Sequence, residues 1–141
     1  MSIPSAVKLH RRSALLELHY GSGEQYQLPA ELLRVYSPSA EVRGHGKGQA
    51  VLQSGKRHVG LVAVEPVGHY AIKLLFDDGH DSGIYSWDYL YQLCREKEAR
   101  WQSYLNDLAS AGASRDPSDR NAALSESVQV INIQPLSKPK S

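Results

Sequence analysis

Apolar residues recur at every second position in the first part of the chain. Val7 and Leu9 alternate with Lys8 and His10, and Leu16, Leu18 and Tyr20 share one face of the run 14–20. Period-two alternation is the signature of a half-buried strand. Gly21-Ser22-Gly23-Glu24 reads as a turn, and Gln25-Tyr26-Gln27-Leu28 resumes the alternation, which predicts a hairpin with a longer loop. Pro29 then opens a short helix over 29–35, stopped by Ser37-Pro38-Ser39, because the residue before a proline avoids the α region. Further strands are predicted over 58–64, closed by Glu65-Pro66-Val67-Gly68, and over 70–76. Asp77-Asp78-Gly79 makes a turn, and Gly83-Ile84-Tyr85 a last short strand.

From Ser86 the period changes. Trp87, Leu90, Tyr91 and Cys94 lie at helical spacing, and Trp101, Leu105 and Leu108 continue the stripe across the charged stretch 95–100. Ser86 suits an N-cap and Asp88 the first turn. This predicts one long helix over about 86–109. Its second half either projects as a self-association seam or folds back over the sheet, so monomer and homodimer both stay open. The fold class expected is α+β: a small, mainly antiparallel sheet with a short helix and one long C-terminal helix. The domain is expected to span 1–112. Residues 113–141 turn to Ser, Asp, Asn, Pro and Lys and read as a disordered tail. A β-prone island, 128–133, interrupts it; the reading is an apolar patch in a tail, with strand addition to a sheet as the alternative.

Composition narrows the classes. The 141 residues are 41% hydrophobic and 22% charged, a globular balance for one domain. The formal net charge of +1 gives no electrostatic claim on nucleic acid or an anionic membrane, so neither is expected as a partner. The N-terminus has no apolar leader and no run approaches membrane-spanning length, so the expected location is cytoplasmic. The one cysteine, Cys94, excludes an intramolecular disulfide and reads as a buried thiol on the helix stripe.

The densest chemistry is 77–81, where three aspartates, Gly79 and His80 follow a strand. Carboxylates and imidazole are ligand types for zinc, iron or manganese. The spacing alone reads first as a polar turn. A metal site would need His80 and Asp81 to converge with His45, in a glycine-rich loop, and His69, after Gly68. No pair of these histidines has a spacing that places both on one element. His10, His19 and His58 read as surface or satisfied residues. The loop Gly44-His45-Gly46-Lys47-Gly48 lacks the phosphate-loop pattern, and no serine nucleophile motif is present.

Four blocks in order, 32–34, 37–45, 67–71 and 76–87, resemble the small domain family named after the N-terminal domain of gamma-butyrobetaine hydroxylase. The resemblance covers about residues 5–95. It implies a compact α+β domain that precedes a 2-oxoglutarate oxygenase domain in the hydroxylases, is appended to iron–sulfur ATPases, or stands alone. Only the helix and tail remain after the matched region, so no oxygenase domain is expected here and that chemistry is not expected to transfer. The resemblance also implies a structural zinc held by three cysteines and a histidine. The matching positions here are Ser37, Ser39, Val42 and His80, and hydroxyls and a valine do not replace thiolates. His80 is then expected to hold its turn against the Ser37–Ser39 segment by hydrogen bonds. The reading is a non-catalytic binding or accessory module for a protein partner, associated with iron–sulfur or oxygenase systems. Arg34, Tyr85 and Trp87 are its candidate partner contacts, and no cofactor is required. The alternative is a zinc- or iron-binding protein that uses His45, His69, His80 and Asp81.

Overall fold

The computed structural model describes residues 3–43 and 51–117. Strands β1 (Ala6–His10), β2 (Leu15–His19) and β3 (Gln25–Pro29) form one antiparallel sheet in that order. Strands β4 (Leu61–Val67), β5 (Ala71–Phe76) and β6 (Gly83–Ser86) form a second. Helices α1 (Ala30–Val35) and α2 (Ala40–Arg43) lie between the sheets in sequence, and α3 (Trp87–Arg95) and α4 (Lys97–Ser110) follow them. The α+β class and the antiparallel pairing are as expected from the sequence. The strands divide into two three-stranded sheets instead of one, because side-chain periodicity reports a strand's buried face and not its neighbours.

The core joins both sheets to the helices. Leu16 and Leu18 of β2, Leu28 of β3, Leu32 and Leu33 of α1, Leu74 of β5, and Leu90 and Leu93 of α3 are all fully buried. Burying such a side chain contributes about 1.5–3 kcal/mol relative to leaving it exposed. Cys94 is buried with them, and burial raises its thiol to about 11, so it is held as an inert thiol. Several strand boundaries differ from the periodicity reading, the starts of β2 and β4 most clearly. Strand β2 starts at Leu15 because Ala14 takes a positive φ of 55° while closing the turn onto Arg11. Strand β4 starts at Leu61, since Gly60 N–H is taken by the Asp77 carboxylate at 2.9 Å, and it runs through Pro66. An edge strand tolerates proline because its outward N–H has no ladder partner.

The long helix also resolves differently. It breaks at Glu96, which closes α3 with an N–H bond to the Gln92 carbonyl and precedes α4. None of residues 95–100 is buried, so nothing holds that stretch against the core. The Ser86 cap is as expected, its hydroxyl accepting from Tyr89 N–H at 3.2 Å. Helix α4 folds back: Tyr104 and Leu108 build a second small core with Val35, and Trp101 and Leu105 pack against it. The stripe that could have been a self-association seam is thus used within the chain.

Past α4 the chain continues across the fold through residue 117. Arg57 N–H donates to the Arg115 carbonyl at 2.9 Å, and Gly55 N–H to the Ser114 carbonyl at 2.9 Å. The Arg115 guanidinium grips the buried Glu31 carboxylate with two bonds of 2.9 and 2.8 Å and stacks over the Trp101 ring at 4.8 Å. The Tyr104 hydroxyl donates to the same carboxylate at 3.1 Å. The island 128–133 lies outside the described residues. No helix among the described residues is long and apolar enough to cross a membrane.

Removing one partner of a buried ion pair strands the other's charge. Arg115→Ala should therefore destabilise the chain by about 2 kcal/mol, below the range for fully buried pairs because the arginine is partly solvated. The double variant Arg115→Ala with Glu31→Gln should recover part of that loss. Urea unfolding midpoints of the three proteins check this.

Candidate functional site

The segment after α1 is pinned to the β5–β6 turn by a buried imidazole. His80 is 6% exposed and Ser37 0%. His80 Nε2 lies 2.8 Å from Ser37 Oγ, and Nδ1 lies 2.9 Å from the Glu41 carboxylate. Since the carboxylate only accepts, the Nδ1 N–H donates to it, and Nε2 accepts the serine proton. Ser39 Oγ meets Ser82 Oγ at 2.7 Å, and Ser82 Oγ donates to Glu41 at 3.0 Å. Gly83 is obligatory opposite Ser37: a Cβ there would sit 2.5 Å from the serine oxygen. The expected hydrogen-bonding role of His80 against the Ser37–Ser39 segment is what the structure contains.

These residues do not fit a thiolate zinc site. Ser37 and Ser39 are hydrogen-bonded hydroxyls, Val42 has no donor atom, and both nitrogens of His80 are engaged. Nor do the proposed ligands assemble. His69 is exposed in the β4–β5 turn, while His80 follows the far end of β5, so six residues, about 20 Å of strand, separate the two positions. Asp81 is exposed, and His45 lies outside the described residues. Among the described residues no three His, Cys, Asp or Glu side chains group to hold a metal ion.

Asp78 is the other anchor of this turn. Its carboxylate accepts from Arg34 Nε at 2.8 Å, Lys56 Nζ at 2.7 Å and His80 N–H at 3.1 Å. Burial alone would raise its pKa, but the Lys56 ammonium, the His80 N–H and the Arg34 guanidinium together lower it to about 2. Burial, aided by the Arg34 charge, depresses the His80 pKa below its ordinary 6.5 against the opposing pull of Glu41.

The three partner contacts expected from sequence are largely internal. Arg34 is buried, and besides Asp78 it binds the Gln53 carbonyl oxygen at 3.1 Å. Tyr85 is fully buried and its hydroxyl donates to the Leu33 carbonyl. Trp87 packs partly into the core, and its indole N–H donates to the His69 carbonyl at 2.9 Å, fastening the β4–β5 turn. Aromatic and arginine side chains suit interfaces, but here the core and its ion pairs claim them.

An open concave surface lies beside the pinned segment. A groove of about 540 Å³ runs between Tyr36, Val42, Arg43 and residues 51–53 on one wall and α3 and α4 on the other, with Tyr89, Arg100, Tyr104 and Asp107 among its lining. The walls are tied together: Tyr36 OH donates to the Arg100 carbonyl at 2.7 Å, and Tyr89 OH to the Tyr36 carbonyl. The Arg100 guanidinium carbon stands 5.2 Å from the Tyr36 ring centre and 5.7 Å from that of Tyr89, and Arg43 stands 5.9 Å from Tyr89. Sequence reading missed this surface. Tyr36 and Arg100 are 64 residues apart, and no local spacing links them.

Both anchors of the turn predict a loss of stability in acid. The folded state holds His80 neutral, so the unfolded chain takes up its proton first and stability falls as pH drops below about 6.5. Asp78 has a depressed pKa, so its contribution is present above 3.8 and is lost as pH falls from there towards 2. Screened by solvent, that second step should amount to about 1 kcal/mol. Unfolding midpoints followed from neutral pH to about pH 2 should show both steps. His80→Gln should erase the upper one and Asp78→Asn the lower one.

Comparison with known proteins places this geometry in a family. The family model described as gamma-butyrobetaine hydroxylase-like, N-terminal, matches residues 7–91. A solution structure determined by NMR is 62% identical, covering 84% of this chain and 93% of its own, with a TM-score of 0.74. A second NMR structure is 50% identical over 83% and 87%, with a TM-score of 0.71. A crystal structure of a protein with unknown function, of the DUF971 family, from Acidithiobacillus ferrooxidans is 38% identical over 64% and 90%, with a TM-score of 0.54. No curated protein matches the chain. The blocks that form the pinned turn lie within the matched span, and the chain belongs to the gamma-butyrobetaine hydroxylase-like N-terminal domain family.

Proposed function

We propose that this chain is a non-catalytic binding module, an accessory to another protein, and that the groove between the pinned segment and α3–α4 is its working surface. One observation carries the reading. Ser37, Ser39, Asp78 and His80 at the pinned turn are committed to hydrogen bonds and ion pairs within the fold, whereas the groove is open, concave and lined mainly by aromatic, aliphatic and guanidinium groups. Its volume is in the range of recognition sites, roughly 300–1,000 Å³. Exposed Val51 and Leu52 form part of its wall and supply apolar contact area. Membership of the family supports an accessory role in iron–sulfur or 2-oxoglutarate oxygenase systems, since the domain stands beside such catalytic units elsewhere in the family.

The double variant Arg43→Glu with Leu52→Asp changes two exposed groove residues and should leave folding intact. Lys8→Glu changes an exposed residue of β1 outside the groove and serves as control. Quantitative cross-linked capture from the native cell should show one set of proteins depleted about tenfold on the groove variant, a change of about 1.4 kcal/mol, and unchanged on the control. An identical set on all three proteins would overturn the reading.

A further inference from the structure

We propose that the groove takes the partner protein through one carboxylate held at Arg43 and Arg100, with the apolar or aromatic group beside that carboxylate laid along the groove wall. The inference rests on the groove being the binding surface and adds the chemistry of its occupant. It follows from asking which polar groups of the lining remain available. The hydroxyls of Tyr36 and Tyr89 are spent on backbone carbonyls. The Gln53 amide is spent as well, accepting from Arg34 and donating to the Val51 carbonyl at 3.1 Å. What remains is the Gln92 amide and, at one end, two cations. Arg43 makes no ion pair among the described residues, and Arg100 shares only its Nε with Glu96, at 2.8 Å on the same helix.

Both guanidiniums stand against the Tyr89 ring, which holds them in place and leaves their N–H forks to a ligand. A planar fork matches a carboxylate, and two like charges in one groove are relieved by an anion. The other end of the groove sets the limit to one acid group. Asp107 lines it seven residues beyond Arg100 on α4, about 10 Å along the helix axis. A second carboxylate reaching that far would meet like charge. Between the two ends the wall is apolar, with Val35, Val42 and the Tyr104 ring.

The test is a titration of the full chain, followed by amide NMR, with sodium benzoate, phenylacetate and hexanoate and with their uncharged amides. The acids should give saturable shifts centred on Arg43, Val51, Tyr89 and Arg100, and should bind about tenfold more tightly than the amides. Arg43→Gln should remove that preference while the affinity for the amides stays the same, and an unchanged melting temperature shows that the variant is folded. Amides that bind the groove as tightly as the acids would overturn the anion assignment and leave the binding surface standing. Acids that shift no groove resonance at millimolar concentration would also overturn it. The binding surface itself is judged separately, by the capture comparison of the Arg43→Glu, Leu52→Asp variant.

Discussion

A neutral imidazole buried between two acceptor-rich segments is the constraint on which the rest of this molecule turns. His80 is bonded through both nitrogens, to Ser37 on one side and to Glu41 on the other. Leaving either nitrogen unpaired in that setting would cost about 1–3 kcal/mol. The pair therefore specifies one placement of the segment after α1. Gly83 makes the placement tight, because any side chain there would displace Ser37. Where the family resemblance implies a metal held by thiolates, this chain has a network of hydroxyls, an imidazole and a carboxylate between the same two segments.

That placement has a consequence for binding. Once the segment is fixed, Tyr36, Val42 and Arg43 face α3 and α4 across a groove, and two tyrosine hydroxyls span it to the backbone of the opposite side. The groove is thus built on braced elements, and its guanidiniums are positioned by aromatic rings before any ligand arrives. Preorganisation of this kind lowers the entropy lost on binding. The same tyrosines contribute no free hydroxyl, which leaves recognition to charge and apolar area.

The C-terminal side of the fold is held by a second buried charge. Glu31 on α1 lies under Tyr104 of α4 and is gripped by Arg115 beyond it, so one carboxylate joins three parts of the chain. This explains why α4 folds back instead of projecting. Trp101 packs against Tyr104 of its own helix and also takes the Arg115 guanidinium over its ring. The break at Glu96 frees α4 from the line of α3.

The alternation of Leu16 and Leu18, the Asp77-Asp78-Gly79 turn, the Ser86 cap and the inert Cys94 were all legible in the chain, because each depends on near neighbours in sequence. The pairing of His80 with the Ser37–Ser39 segment was legible through the family resemblance. Other features required tertiary structure. Arg34, Tyr85 and Trp87 have the composition of an interface, and only packing shows that they are internal. The division into two sheets and the groove between Tyr36 and Arg100 depend on contacts between residues tens of positions apart, which no period or local motif encodes. By itself, then, the sequence determined the class of most elements and the family, while α2 and the break between α3 and α4 emerged only from the structure. The tertiary structure decided which side chains were left facing solvent, because that follows from what every other side chain has already bonded or buried.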